Sequence, residues 1–188
     1  AHDRLYPISM GRYGPNVAIP RILETYRRLD VQQSFFLPGW CIETYPDAVE
    51  AILKGGHEIG HHGYLHEDPI EGPDQRYWFE RALTAYRKYC GGTPAGYRAP
   101  VYNINQEVLD LLVEHGFRYD SSMMADDIPY RLETSKDQLW EMPVHWGTDD
   151  WPPFAHYSEI GYMMPVAGPS KGLSGFWEEF DAAYDAGG

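Results

Sequence analysis

Residues 57 to 69 read His-Glu-Ile-Gly-His-His-Gly-Tyr-Leu-His-Glu-Asp-Pro, which puts four of the chain's eight histidines within ten residues. Imidazole is the side chain best suited to hold a borderline divalent metal near neutral pH. His62 and His66 are four apart, so on a helical turn both would face one ion, and Gly63 lets the backbone bend between them. Two histidines and a carboxylate form a catalytic metal pattern that leaves positions open for water and substrate. Glu67 and Asp68 follow at once. His57 opens a strand and reads as structural. His61 alternates with His62, so one of the two points at the site, and His61 stays open as the alternative ligand. The expected cofactor is one divalent transition metal, zinc first, with iron, cobalt or nickel also compatible with such donors.

Arg98, in Gly96-Tyr97-Arg98-Ala99-Pro100, sits at the tip of a buried strand. A guanidinium there needs a partner, because an unpaired buried charge is costly. Asp149 and Asp150 are the candidates. Such a pair beside a metal could fix the polarity of a catalytic carboxylate; a plain surface ion pair is the blander alternative.

These residues need elements to hold them. Ile19, Ile22, Leu23, Tyr26 and Leu29 recur at helical spacing, predicting a helix over 17–29. Residues 34–37 read as a buried strand running into a Pro38-Gly39 loop, 45–54 as a helix, and 57–61 as a strand. Residues 73–89 form a longer helix with Pro73 in its first turn. Asn105 caps another helix, which Gly116 closes. Strands are expected at 96–100, 117–120 and 139–144, a long loop at 151–170, and an amphipathic helix at 176–184. Alternating strands and helices imply a parallel sheet with helices packed outside it. Working residues then sit on loops after the strands, where the histidine segment, Arg98, Asp120-Ser121-Ser122 and His145 to Trp151 all fall.

At 188 residues the chain suits one domain. Its net charge of −13 argues against nucleic acid and anionic membranes as partners. No apolar run approaches the roughly 18 residues of a membrane span. Aromatics are plentiful, with 15 Tyr and 6 Trp, which fits a ring-lined cleft for a sugar as well as a core. Cys41 and Cys90 read as buried thiols, favouring a reducing, cytoplasmic setting. The composition leaves homo-oligomers open. A chain opening on Ala1 and ending on Gly187-Gly188 is expected to be a fragment.

Three segments resemble the polysaccharide deacetylase family, the NodB-homology fold of carbohydrate esterases. Gly56 to His66 is similar to its second motif, Tyr97-Arg98-Ala99-Pro100 to its third, and Thr148-Asp149-Asp150-Trp151 to the end of its fourth. Order and spacing match over roughly residues 13 to 188. His-Gly-Tyr-x-His-Glu and Tyr119-Asp120-Ser121-Ser122 are closest to the branch holding peptidoglycan deacetylases and cyclic imide or ureide hydrolases. The resemblance implies an α/β fold, a distorted (β/α) barrel incomplete at both ends. It implies metal-dependent hydrolysis of a non-peptide C–N bond in an N-acetylated glycan. His62 and His66 would be metal ligands, Arg98 would orient the catalytic base, and Asp150 would hold Arg98. Tyr64 and Trp151 would contact the substrate.

The departures matter. Gly63 stands where the chitin-type enzymes carry Ser or Thr. The first motif, an Asp pair giving the base and a third ligand, is absent, and Asp3 is too isolated to replace it. The fifth motif, with the general-acid histidine, is absent too. Two rivals remain: an allantoinase-like hydrolase of small cyclic amides, and a non-catalytic carbohydrate-binding domain.

Overall fold

The apolar spacing of residues 19–29 does produce a helix, and it is the second of a longer series. The computed structural model describes residues 5–69, 74–135, 137–156, 161 and 166–187. Helix α1 (Leu5–Tyr13) passes through a π-helical turn (Gly14–Ala18) into α2 (Ile19–Leu29). Then come β1 (Ser34–Leu37), α3 (Gly39–Thr44), α4 (Pro46–Lys54), β2 (Glu58–His61), α5 (Gln75–Tyr89) and β3 (Gly96–Tyr97). They are followed by α6 (Gln106–Glu114), β4 (Tyr119–Asp120), β5 (Tyr130–Glu133), β6 (Gln138–Glu141), α7 (Trp151–Phe154) and α8 (Pro169–Asp185). Pro73, Asp3 and parts of the expected 151–170 loop (157–160 and 162–165) lie outside the described residues. No described helix is long and apolar enough to cross a membrane.

The strands order as β1-β2-β3-β4-β6-β5, and the pairs β1–β2, β2–β3, β3–β4 and β4–β6 are parallel. This is the alternating α/β sheet that the sequence predicts, open at its edges among the described residues. Internal contacts divide the chain into two compact units, residues 1–122 with 131–141, and residues 123–130 with 142–188.

In the first unit, each face of the sheet is filled differently. On the helix side, Ile42, Val49, Ile52, Ile59 and Tyr86 form a buried cluster, joined by Leu23, Phe35 and Leu37. Full burial of such side chains is worth about 1.5–3 kcal/mol each. On the other side, glycines make room for rings. A Cβ at Gly60 would come within 2.6 Å of the Phe36 ring, and one at Gly96 would overlap the Tyr119 ring. Tyr119 donates its hydroxyl to Glu58 Oε2 at 2.8 Å, and Ser34 donates to the same oxygen at 2.5 Å.

Two elements differ from the sequence reading near the site. Pro38-Gly39 opens α3 rather than a loop, and Gly39 is required there, since a Cβ would come within 2.8 Å of the Ala82 backbone on α5. Strand β5, unmarked in the sequence, lies at the sheet edge beside β6. In the second unit, α8 begins at Pro169, earlier than expected, and Phe154 of α7 packs over Gly172.

Candidate active site

Strand β2 ends at His61, and the next eight residues form a loop of bends rather than the helical turn expected for His62 and His66. The reason is backbone handedness: Gly63 has φ +68° and His66 φ +61°, both in the left-handed region. Glu67 organises this loop. Its carboxylate accepts Tyr64 N–H at 2.9 and 3.2 Å and Leu65 N–H at 2.5 Å. The amides opening α3 add two bonds, Gly39 N–H to Gly63 C=O and Trp40 N–H to Tyr64 C=O, both 2.9 Å. Orphan donors at a helix start are thereby spent on the histidine loop.

The two histidines nevertheless come together. Their ring centroids lie 4.9 Å apart at 71°. His62 Nδ1 is 2.7 Å from the Arg98 main-chain carbonyl, so Nδ1 carries the hydrogen and Nε2 keeps its lone pair. Burial, with His66 adding to it, pulls His62 down to about 4, so the ring is neutral at neutral pH. A neutral ring with one nitrogen anchored on a carbonyl is the form in which histidine ligates a metal. His66 is exposed beside it. This donor pair therefore fits a divalent transition metal, although no three His, Cys, Asp or Glu side chains converge among the described residues.

The other two histidines are structural. His61 is 2% exposed, bonds Phe79 C=O through Nε2 at 3.0 Å, accepts Gly63 N–H on Nδ1 at 3.3 Å and stacks on Phe79. With both nitrogens engaged, it is closed as the alternative ligand. His57 accepts Gln33 N–H on Nδ1 at 3.1 Å and packs against Tyr26 and Phe35. Asp68 accepts the Asn103 amide at 2.9 Å on both oxygens.

The Arg98 side chain finds partners inside its own unit. Its Nε donates to Ser121 C=O at 2.8 Å and its Nη2 to Ser121 Oγ at 2.6 Å, with the guanidinium 4.5 Å above the Phe36 ring. The sequence marked Ser121 by its place after a strand and within Tyr119-Asp120-Ser121-Ser122, but not as the partner of Arg98. Tyr64 is likewise committed to protein groups rather than left facing a cleft. It donates to Glu43 at 2.7 Å, receives Arg81 on its hydroxyl at 2.8 Å and on its face at 4.3 Å, and stacks on Trp78. In the second unit, Asp149 Oδ1 accepts Trp151 N–H at 2.7 Å and Asp150 C=O accepts Phe154 N–H at 3.2 Å, so both aspartates stand at the start of α7. Asp150 and Trp151 are exposed.

A family model described as polysaccharide deacetylase matches residues 13–119. The chain is 31% identical over 204 residues to a Helicobacter pylori peptidoglycan deacetylase, covering 94% of this chain and 69% of that one. It matches the crystal structure of a Mycobacterium smegmatis protein assigned as a polysaccharide deacetylase at TM-score 0.93 and 36% identity, covering 100% of this chain and 66% of the other. A Puue allantoinase matches at TM-score 0.82 and 20% identity, covering 98% of this chain and 60% of the other, a likeness of fold alone. The chain thus spans between 60% and 69% of the length of these three proteins. The family model's match over more than half of the chain and the similarity along nearly its whole length agree: the chain belongs to the polysaccharide deacetylase family, with its distorted β/α barrel fold.

Proposed function

We propose that the protein hydrolyses the amide C–N bond of an N-acetylated glycan, a peptidoglycan-type deacetylation that depends on one divalent metal held by His62 and His66. The observation that carries the reading is the His62 ring, pinned through Nδ1 to the Arg98 carbonyl, with Nε2 left beside His66. The chemistry such an ion supplies is Lewis-acid polarisation of the acetamide carbonyl and a lowered pKa for water.

The chain's own residues shape that site. Glu67 fixes the loop that sets the two rings, by accepting its amides. Arg98, fixed by Ser121 and Phe36, offers its charge to orient the carboxylate that takes a proton from water. Tyr64 serves the site through its loop. Two free, half-buried thiols fit a reducing, cytoplasmic setting.

The test is elemental analysis beside acetate release in the full-length protein. Wild type is expected to carry about one transition metal and to release acetate from an N-acetylglucosamine pentamer. His66→Ala is expected to lose both. Turnover of cyclic imides without acetate release would assign the site to the small cyclic amides instead, and a metal-free, fully active His66→Ala protein would end the proposal.

A further inference from the structure

Arg98 and Ser121 lie on one side of the sheet, and a second cluster stands directly behind them. Cα register aligns Leu37, His61, Tyr97, Asp120 and Glu141 in one row across β1, β2, β3, β4 and β6. His61 in that row stacks on Phe79 of α5, so the row faces the helices. Arg98 and Ser121, one residue further along, lie on the opposite side with Phe36, as strand alternation requires.

Asp120 and Glu141 are register partners on neighbouring strands, and both are 0% exposed. Like charges side by side in a dry interior disfavour the ionised form. Burial first, and the Glu141 carboxyl second, keep Asp120 well above the usual carboxylate range.

Ser122 joins this pair to the loops that carry the site. Its amide donates to Glu141 Oε1 at 2.9 Å and its hydroxyl to Asp120 Oδ1 at 2.7 Å. The same hydroxyl accepts Ala99 N–H at 2.9 Å. Ala99 follows Arg98 and Ser122 follows Ser121, so one cluster fixes the backbone on both sides of the Arg98–Ser121 contact. Apolar residues at 120 and 141 would fill the space but leave the Ser122 hydroxyl and amide without acceptors.

We propose that Asp120 and Glu141 are positioning residues that act through Ser122 to hold the Arg98 guanidinium in its working orientation. The proposal rests on the deacetylase reading for its kinetic consequence and on the geometry alone for the placement of Arg98.

The experiment uses the full-length, metal-loaded protein and an N-acetylglucosamine pentamer. Ser122→Ala is expected to lower kcat about 10–100-fold, the scale of a small misplacement of a working group, with KM and bound metal unchanged. In an Arg98→Ala background the same change is expected to cost nothing further, since the route it cuts ends at Arg98. Asp120→Asn should recover most of what Asp120→Ala loses, because the amide oxygen accepts the Ser122 hydroxyl where Oδ1 did. Penalties of Ser122→Ala and Arg98→Ala that multiply, or a loss that tracks metal content or melting temperature, would overturn the proposal. A second readout needs no turnover: the Arg98 Nε–H resonance in nitrogen-15 spectra. It should be protected from exchange in wild type and Asp120→Asn and lose that protection in Ser122→Ala. Equal protection in all three overturns the proposal, whereas absence of acetate release by a wild type whose Arg98 behaves as described removes only the deacetylase reading.

Discussion

His62 is anchored by the main-chain carbonyl of Arg98, 2.7 Å from Nδ1, while the Arg98 guanidinium turns away to Ser121. One residue thus serves the site twice, through its backbone and through its side chain, and the two services are separable. Arg98→Ala leaves the carbonyl in place, so it should keep bound metal at wild-type stoichiometry while kcat falls by about 10²-fold, as expected for loss of an orienting charge. His62→Ala should lose metal and turnover together. Metal analysis beside steady-state kinetics on both variants checks this, and loss of metal from Arg98→Ala would show that the side chain supports the ligand after all.

Glu67 accepts the amides of Tyr64 and Leu65 and thereby holds a loop in which His66 is left-handed. A non-glycine residue in that region costs on the order of 1–3 kcal/mol, which the surrounding contacts must offset. Glu67→Ala should therefore weaken metal binding about 10–100-fold, the usual effect of removing a group that orients a ligand. Competitive titration with a chelator reads it. Unchanged affinity would mean that the loop keeps its shape without the carboxylate.

Tyr64 gives its hydroxyl to Glu43 and Arg81. Tyr64→Phe should cost about 1 kcal/mol, a drop of about 2–4 °C in Tm for a chain of this size, with KM for the glycan unchanged within twofold. A KM raised tenfold with Tm intact would return Tyr64 to the substrate-contacting role that its place in the motif suggested.

How far the sequence carried depended on whether a feature was local. The strand at 34–37 and the Asn105 cap, which accepts Val108 N–H at 3.1 Å, are dictated by neighbours in the chain and were legible. The spacing of His62 and His66 correctly put two imidazoles together, but for the wrong reason, because i and i+4 meet here across left-handed residues rather than on a helix. Helix α3 was hidden because Pro38-Gly39 reads as a turn until its amides find carbonyls on a loop more than twenty residues away. The Asp120–Glu141 pair was beyond reach, since it needs β4 beside β6 with β5 at the edge, an order no spacing announces.

Burial pushes the Cys90 thiol, just after α5, up to about 11. Only the thiolate alkylates readily, so in the native protein at pH 7.5 Cys90 should react on the order of a hundredfold more slowly than in urea. Mass spectrometry after timed alkylation measures it. Reaction at the denatured rate would place the thiol in water.

The upward shift of Asp120 has a signature in stability. Its native pKa lies above the ordinary value, from burial and from Glu141. Unfolded, the same carboxyl gives up its proton near pH 3.9. Between those two values the native state binds the proton more tightly than the unfolded chain, so the stabilising contribution is complete below about pH 3.9 and is lost as pH rises through the native pKa. Asn at this position cannot ionise and carries no such loss. The stability of Asp120→Asn relative to wild type should therefore be constant in strong acid and should improve steadily as pH rises toward neutrality. Neighbouring groups do not mimic the trend. The Tyr97 phenol is held well above its usual value by burial, and His61, lowered to about 4, titrates equally in both proteins and cancels. Urea unfolding of the two proteins across that pH range gives the difference directly, and parallel curves would mean that the folded chain does not hold Asp120 above its ordinary value.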